Sequence, residues 1–199
     1  MSGARLAPLP PEHAPGLAEE FGSFMRSLGF VPNSVLTMQR NPALVRAFVA
    51  MQGAIWSRDS KIDRGLKRLI AHMASRAARD PYSMAHTASG ALHFGVDARK
   101  LAALGDFHAS AMFSPAERSA LALAVAAGMV PNGVSDAMFA ELGRHWSEEE
   151  IVEIVAVIAM AGFLSRWNGV MATPLEDEPR SVAERHLAPQ GWSAGIHGA

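Results

Sequence analysis

The sequence predicts an all-α protein that forms a single domain. No segment shows sustained alternation of apolar and polar residues, the pattern typical of a half-buried strand. Several apolar segments instead open with a residue of the type that caps helices. The 199 residues are 49% hydrophobic and 19% charged, which suits one core of ordinary size.

Helix starts are marked by capping residues along the chain. Asn41 and Asp80 each precede a proline, which favours an N-cap followed by proline in the first turn. Ser114 and Ser147 are each followed three residues later by Glu, the pattern of a capping box. Together with helical spacing of the apolar residues, these signals predict helices at about 13–28, 42–57, 61–78, 81–94, 97–105, 115–127, 133–144 and 148–171.

The two ends of the chain differ in composition from the helical part. Residues 1–12 are rich in proline and lack the apolar stretch of a signal peptide, so we expect an irregular lead-in and a cytoplasmic location. The helical domain then covers residues 13–171. Residues 172–199 contain several Pro and Gly, which predicts an irregular tail packed on the domain.

Composition limits the partners and the chemistry. The formal net charge is −1, and no cluster of positive charge points to nucleic acid or a membrane surface. The longest apolar run, 154–164, has 11 residues, short of the roughly 20 that span a bilayer. The chain has no Cys, which excludes disulfides, thiolate ligands and Cys nucleophiles. No His pair has the spacing of metal ligands on one helix, so we expect no metal.

Several segments resemble the carboxymuconolactone decarboxylase and alkylhydroperoxidase superfamily. The segments 66–71 and 80–86 resemble its core, and 29–34, 163–168 and 191–192 extend the resemblance in the same order. The resemblance implies a multi-helix bundle that acts on a small molecule without a cofactor. Family members are generally homo-oligomers. Because 148–171 is apolar nearly all round through its middle, we expect at least a symmetric dimer.

Peroxidases of this superfamily use a Glu, a Cys-x-x-Cys pair and a His. Arg68 stands at the Glu position, Asp80 and Ser83 at the two Cys positions, and Thr87 at the His position. The dithiol route needs one thiolate to attack the peroxide and a second thiol to resolve the product, so it is excluded here even if the family label suggests it. The decarboxylase branch needs only proton transfer and charge stabilisation.

His86 resembles a second His of the superfamily and lies in a polar helix face. Tyr82, His86, Ser89 and His93 fall at i, i+4, i+7 and i+11, which places them on one side of a helix. Imidazole suits proton transfer near neutral pH, so this face is a candidate pocket wall. The alternative is a face that meets solvent or another subunit.

Arg68 and His72 lie four residues apart on the preceding helix. A guanidinium there suits a substrate carboxylate, with a solvated basic edge as the alternative. Asp80 is interpreted first as a helix cap rather than as a replacement for a catalytic thiol. Ser83 lacks the signature of an activated nucleophile and is expected to hydrogen-bond to substrate or backbone.

The sequence therefore predicts a cofactor-free lyase, such as a decarboxylase, or an isomerase that acts on a small carboxylate or carbonyl substrate. His86, Arg68 and Tyr82 form the predicted catalytic set. The predicted substrate-binding residues are Ser83, His72, Asp80, Thr87 and His93. The alternative is an inactive member of the family that keeps the scaffold and binds a ligand or a protein partner. The two readings differ in whether His86 faces a cavity or solvent.

Overall fold

Helices form the regular structure of residues 3–57 and 59–198, the part of the chain that the computed structural model describes, and no strand occurs there. The predicted all-α class is confirmed. The helices are α1 Ala18–Leu28, α2 Asn33–Met38, α3 Pro42–Ile55, α4 Arg64–Ala77, α5 Pro81–His93, α6 Ala98–Ala102, α7 Pro115–Gly128, α8 Asp136–Leu142, α9 Glu148–Met171 and α10 Asp177–His186.

The predicted caps form where the sequence places them. Asn41 accepts a hydrogen bond from the backbone of Leu44, and both capping boxes, at Ser114 and at Ser147, are complete. Such a cap contributes about 1 kcal/mol of stability. Several boundaries differ from the prediction. Helix α1 begins at Ala18 rather than near residue 13, and Asp63 caps α4, which begins at Arg64 rather than near residue 61. Helix α2 was not predicted.

The core has two parts that meet along α9. The larger part surrounds α4, which packs against α5, α7 and α9 and buries Leu69 and Ile70. The smaller part lies among α1, α2 and α3, and Met160 of α9 closes it. The junction between the two parts positions the cavity described below.

Helix α10 corrects the prediction that residues 172–199 are irregular. It packs against α5, and Trp192, beyond its end, donates from Nε1 to the carbonyl of Pro81 at 3.0 Å. Pro179 does not interrupt this helix, because it lies in the first turn, where no intrahelical N–H is needed. Acidic residues in that first turn and basic residues in the last favour the helix dipole.

Helix α9 is only partly surrounded within this chain. It is long and apolar enough to cross a membrane by length and composition, yet it packs against α3, α4, α5 and α7 as a core helix does. Ile154 and Val157 are fully buried. Val152, Val155 and Val170 are 68%, 41% and 63% exposed and leave an apolar strip uncovered.

A candidate acid–base site

A cavity of about 330 Å³ lies where the two parts of the core meet. Its apolar lining includes Phe24, Phe48, Trp56, Val157, Met160 and Leu164. Arg68, Tyr82, Ser83, His86 and Thr87, all predicted as site residues, line the same cavity. An apolar cavity with a few convergent polar groups is the usual form of a small-molecule site.

His86 is held by a carboxylate from a distant part of the chain. Its Nε2 lies 2.6 Å from Oε2 of Glu176, the residue that precedes α10. With the proton on Nε2 donated to this carboxylate, Nδ1 carries the lone pair that can exchange a proton with a ligand. A carboxylate in this position also stabilises the imidazolium that forms when His86 acts as a base.

Glu176 is the anchor of a small hydrogen-bond network. Its Oε1 accepts from the Tyr82 hydroxyl at 2.8 Å and from the backbone N–H of Asn33. Burial raises the pKa of Glu176, but the charge of His86 and the hydrogen bonds from His86, Asn33 and Tyr82 outweigh it, so the pKa is lowered overall. Glu176 is therefore ionised at neutral pH and complements a positive charge on His86.

Tyr82 positions this pair rather than exchanging protons. Its ring stacks on the His86 ring with centroids 4.5 Å apart, and its side chain is buried. Burial, followed by the charge and the hydrogen bond of Glu176, raises the pKa of Tyr82 well above its ordinary value. The phenol therefore stays protonated and acts as a fixed hydrogen-bond donor.

Arg68 is a partly buried cation in the cavity wall. Its guanidinium carbon lies 3.9 Å from the centre of the Trp56 ring, and that of Arg64 lies 4.1 Å from the centre of the Phe94 ring. Neither arginine takes part in an ion pair within the described residues. Burial, then the charge of Arg64, lowers the pKa of Arg68 to about 10, so Arg68 remains charged at neutral pH.

Arg68 reaches α5 close to the His86 imidazole. A Cβ at Gly90 would lie 3.0 Å from Cδ and from Nε of Arg68, so the arginine side chain crosses α5 where the absence of a side chain leaves room. Gly90 lies four residues after His86, which is about 6 Å along the helix axis. The cation and the acid–base group can therefore contact one small ligand.

His72, Asp80 and His93 lie outside the cavity lining, although we predicted all three as substrate-binding residues. His72 is buried, with Nδ1 3.1 Å from both the Met84 carbonyl and the Thr87 hydroxyl. Burial lowers the pKa of His72 to about 4, so it is neutral and internal. Asp80 is the predicted cap of α5 and accepts from the backbone of Ser83.

The polar face of α5 lines the cavity in its first half and lies at the protein surface in its second half. Tyr82 and His86 face the cavity, which is the first alternative we considered. Ser89 instead donates to Glu178 at 2.9 Å, and His93 is exposed with its ring edge-on to Phe94. The second alternative, a face that meets solvent, therefore holds only for the last turn.

Three polar residues of the site escaped the sequence prediction. Arg64 lies one turn before Arg68, so the same periodicity would have found it. Asn168 is a polar break in an apolar helix and lines the cavity. Glu176 had no local signal, since it follows α9 in a segment that we predicted to be irregular. Within residues 3–57 and 59–198, no group of three or more His, Asp or Glu is placed to hold a metal.

The chain is similar to several known proteins. Residues 42–126 match the model of the Carboxymuconolactone decarboxylase family. The uncharacterized protein YnjA of Escherichia coli K12 is 35% identical over 77 residues, which span 39% of this chain and 42% of that protein. The chain therefore spans less than half the length of this relative.

Solved structures match over more of the chain. The debrominase Bmp8 is 37% identical over 90% of this chain and 96% of its own, with a TM-score of 0.84. A variant of Bmp8 with one cysteine replaced by alanine, in complex with 2,3,4-tribromopyrrole, has a TM-score of 0.85. A peroxidase-related protein from Ralstonia eutropha JMP134 with an alkylhydroperoxidase AhpD core is 22% identical over 87% of this chain and 94% of its own. Its TM-score is 0.72, and it supports the fold alone.

Proposed function

The chain belongs to the carboxymuconolactone decarboxylase family, and from this premise we propose that it is a cofactor-free acid–base enzyme acting on a small organic anion. The reaction is a decarboxylation or an isomerisation of a carboxylate or carbonyl compound. The observation that carries the proposal is the contact between His86 and Glu176 in a cavity that Arg68 also lines.

The proposed roles follow from the charges of these groups. In an isomerisation, His86 removes a proton from the carbon beside a carbonyl and returns it to another carbon. In a decarboxylation, the bond between the α-carbon and the carboxylate carbon breaks, and the carboxylate leaves as CO₂. The electron pair of that bond passes into an enolate, which His86 protonates. Arg68 stabilises the negative charge of the enolate, and Glu176 stabilises the positive charge of His86.

The relative Bmp8 supports the size of the proposed substrate. The compound in its complex, 2,3,4-tribromopyrrole, is a single small ring, and the cavity of about 330 Å³ accepts a molecule of that size. This chain has no Cys, so a reaction that uses a cysteine of its own is excluded. The cavity instead contains His86, paired with Glu176, which can transfer a proton.

A substrate screen over β-keto acids and over lactones and lactams that carry a carboxylate tests the proposal. His86→Ala is expected to lower turnover by about 10²- to 10⁴-fold, the usual contribution of a general acid or base. His93→Ala is the matched control, since His93 lies on the same helix but is exposed. Equal rates in wild type and His86→Ala would remove His86 from the mechanism and end the proposal.

The same screen separates this proposal from the inactive scaffold. A scaffold would bind small carboxylates with no turnover of any compound, and wild type and His86→Ala would then behave alike. A peroxide assay with a dithiol reductant addresses the family's peroxidase label. No turnover is expected, because the chain has no thiol.

We also propose that a second copy of the chain covers the exposed strip of α9. Val152, Val155 and Val170 form an apolar surface on a helix that is otherwise part of the core, and members of the family generally self-associate. Val155→Glu is expected to shift the sedimentation coefficient toward that of a monomer. Ile196→Glu, an exposed apolar residue outside α9, is the control and should leave sedimentation unchanged.

A further inference from the structure

Asn168 belongs to the cavity lining and carries a buried amide that is unpaired among the described residues. The residue lines the cavity and is 0% exposed, and neither Oδ1 nor Nδ2 has a hydrogen-bond partner within residues 3–57 and 59–198. Burying an amide without a partner is unfavourable, so proteins pair almost all such groups. A partner for this amide is therefore expected from a molecule that enters the cavity.

The side chain of Asn168 has no role in ending α9. The backbone carbonyl of Asn168 accepts from the N–H groups of Ala172 and Thr173, which satisfies the main chain at the end of the helix. The amide group takes part in neither bond. A purely structural account of Asn168 thus leaves both of its polar side-chain atoms unexplained.

An amide recognises a group that offers a donor and an acceptor side by side. Oδ1 accepts one hydrogen bond and Nδ2 donates, so a lactam or a carboxamide forms two parallel bonds with it. A lactone or an ester has no donor and would leave Oδ1 unpaired. A buried site built to hydrogen-bond an N–H group rejects the analogue that lacks it by a large factor.

We propose that Asn168 is a specificity-determining residue that selects substrates carrying a lactam or carboxamide in addition to the anionic group. The proposal rests on the proposed function for the anion, since Arg68 lines the same cavity and pairs with no carboxylate in the described part of the chain. The substrate class is then a small cyclic or planar anion with a neighbouring N–H and C=O pair. Gln52, a second amide in the lining, is not among the buried unpaired groups and offers a comparison.

Two matched probes test the selection by titration calorimetry. 2-Pyridone-5-carboxylate has the lactam N–H, whereas 2-pyrone-5-carboxylate has a ring oxygen in its place and is otherwise alike. Wild type is expected to bind the pyridone at least about tenfold more tightly. Asn168→Leu, of similar volume, should bind the two probes equally, and Gln52→Leu should retain the wild-type preference.

Thermal unfolding without ligand shows whether Asn168 is structural instead. Because the amide is unpaired, Asn168→Leu is expected to melt at the wild-type temperature or above it. Asn168→Asp provides a second variant, which should keep the preference for the pyridone, because a carboxylate still accepts from the lactam N–H, but should bind both probes more weakly, because it cannot donate to the ring carbonyl. An equal preference for the pyridone in wild type and Asn168→Leu overturns the proposal, as does an Asn168→Leu protein that melts much lower.

Binding is measured without turnover, so the two proposals fail separately. Equal turnover of His86→Ala and wild type would end the acid–base mechanism and leave the selection by Asn168 intact. Equal binding of both probes to wild type, or binding of neither, would overturn the selection while leaving the role of His86 open to its own test.

Discussion

The His86 imidazole and the Glu176 carboxylate lie 2.6 Å apart although 90 residues separate them in the chain. His86 is on α5, and Glu176 directly precedes α10, which packs against α5. The carboxylate also receives hydrogen bonds from Tyr82 and from the backbone of Asn33. The contact between α10 and α5 therefore determines the orientation of the proposed acid–base group.

Glu176→Gln is expected to lower the free energy of unfolding near neutral pH. The pKa of Glu176 is lowered in the folded state, so its contribution is present above the ordinary value of 4.5 and is lost as the pH falls through the folded pKa. Urea unfolding over a series of pH values measures this. Glu178→Gln, an exposed neighbour, should show no such trend. A constant difference between wild type and Glu176→Gln down to about pH 3 would contradict the assignment.

The Tyr82 hydroxyl is expected to resist ionisation until the protein unfolds. Its pKa is raised well above the ordinary value of 10.0 by burial and by the charge of Glu176. The chain has 1 Tyr, so phenolate absorbance in an alkaline titration reports this residue alone. Glu176→Gln should lower the titration midpoint because it removes the neighbouring charge. Ionisation of wild type at the ordinary pKa would show that the phenol is not buried against Glu176.

Arg68→Met is expected to weaken the binding of benzoate while leaving stability unchanged or higher. Hydrogen bonds to charged groups contribute about 1.5–3 kcal/mol, which corresponds to a loss of roughly 10- to 100-fold in affinity. Stability should not fall, since the guanidinium is partly buried, makes no ion pair with any described residue, and can be replaced by a methionine that packs over Trp56. Arg99→Met is the control, because Arg99 is exposed and pairs with Asp97. Unchanged benzoate affinity in Arg68→Met would contradict the role of the cation.

His72 is expected to make the protein less stable as the pH falls from about 6.5 to about 4. Burial lowers its pKa to about 4 in the folded state, so the unfolded chain binds more protons in this window. The loss is about 3 kcal/mol at the lower end, and His72→Asn should largely remove it. His93→Asn, an exposed control, should keep the wild-type profile. Acid unfolding that is identical in wild type and His72→Asn would disprove the neutral assignment.

Features that depend on neighbouring residues were predictable from the sequence. The cap at Asn41 and the capping box at Ser147 form within one helical turn, so the residue types alone determine them. Arg68, Tyr82 and His86 lie on two consecutive helices, and the resemblance to the family placed them in one site. Their presence in one cavity agrees with that expectation.

Features that depend on tertiary packing were not predictable. Nothing in the spacing of His86 and Glu176 indicates that they meet, because the contact needs the whole bundle between them to fold. His72 lies one turn after Arg68, so its residue type and spacing alone suit a substrate-binding residue. Only its contacts with α5 show that it is internal. The unpaired state of Asn168 is likewise a property of its surroundings rather than of its sequence.

The packing of α10 on α5 affects whether activity or helix content is lost first when the protein unfolds. Bringing His86 and Glu176 together closes a long segment of chain, which costs conformational entropy. The Glu176 carboxylate is held in place only while the segment after α9 stays packed on α5. A helix that packs on one side of a bundle, as α10 packs mainly on α5, detaches at a lower free energy than the interior helices. Under mild denaturant, the proposed acid–base activity should therefore disappear while circular dichroism still reports nearly full helix content.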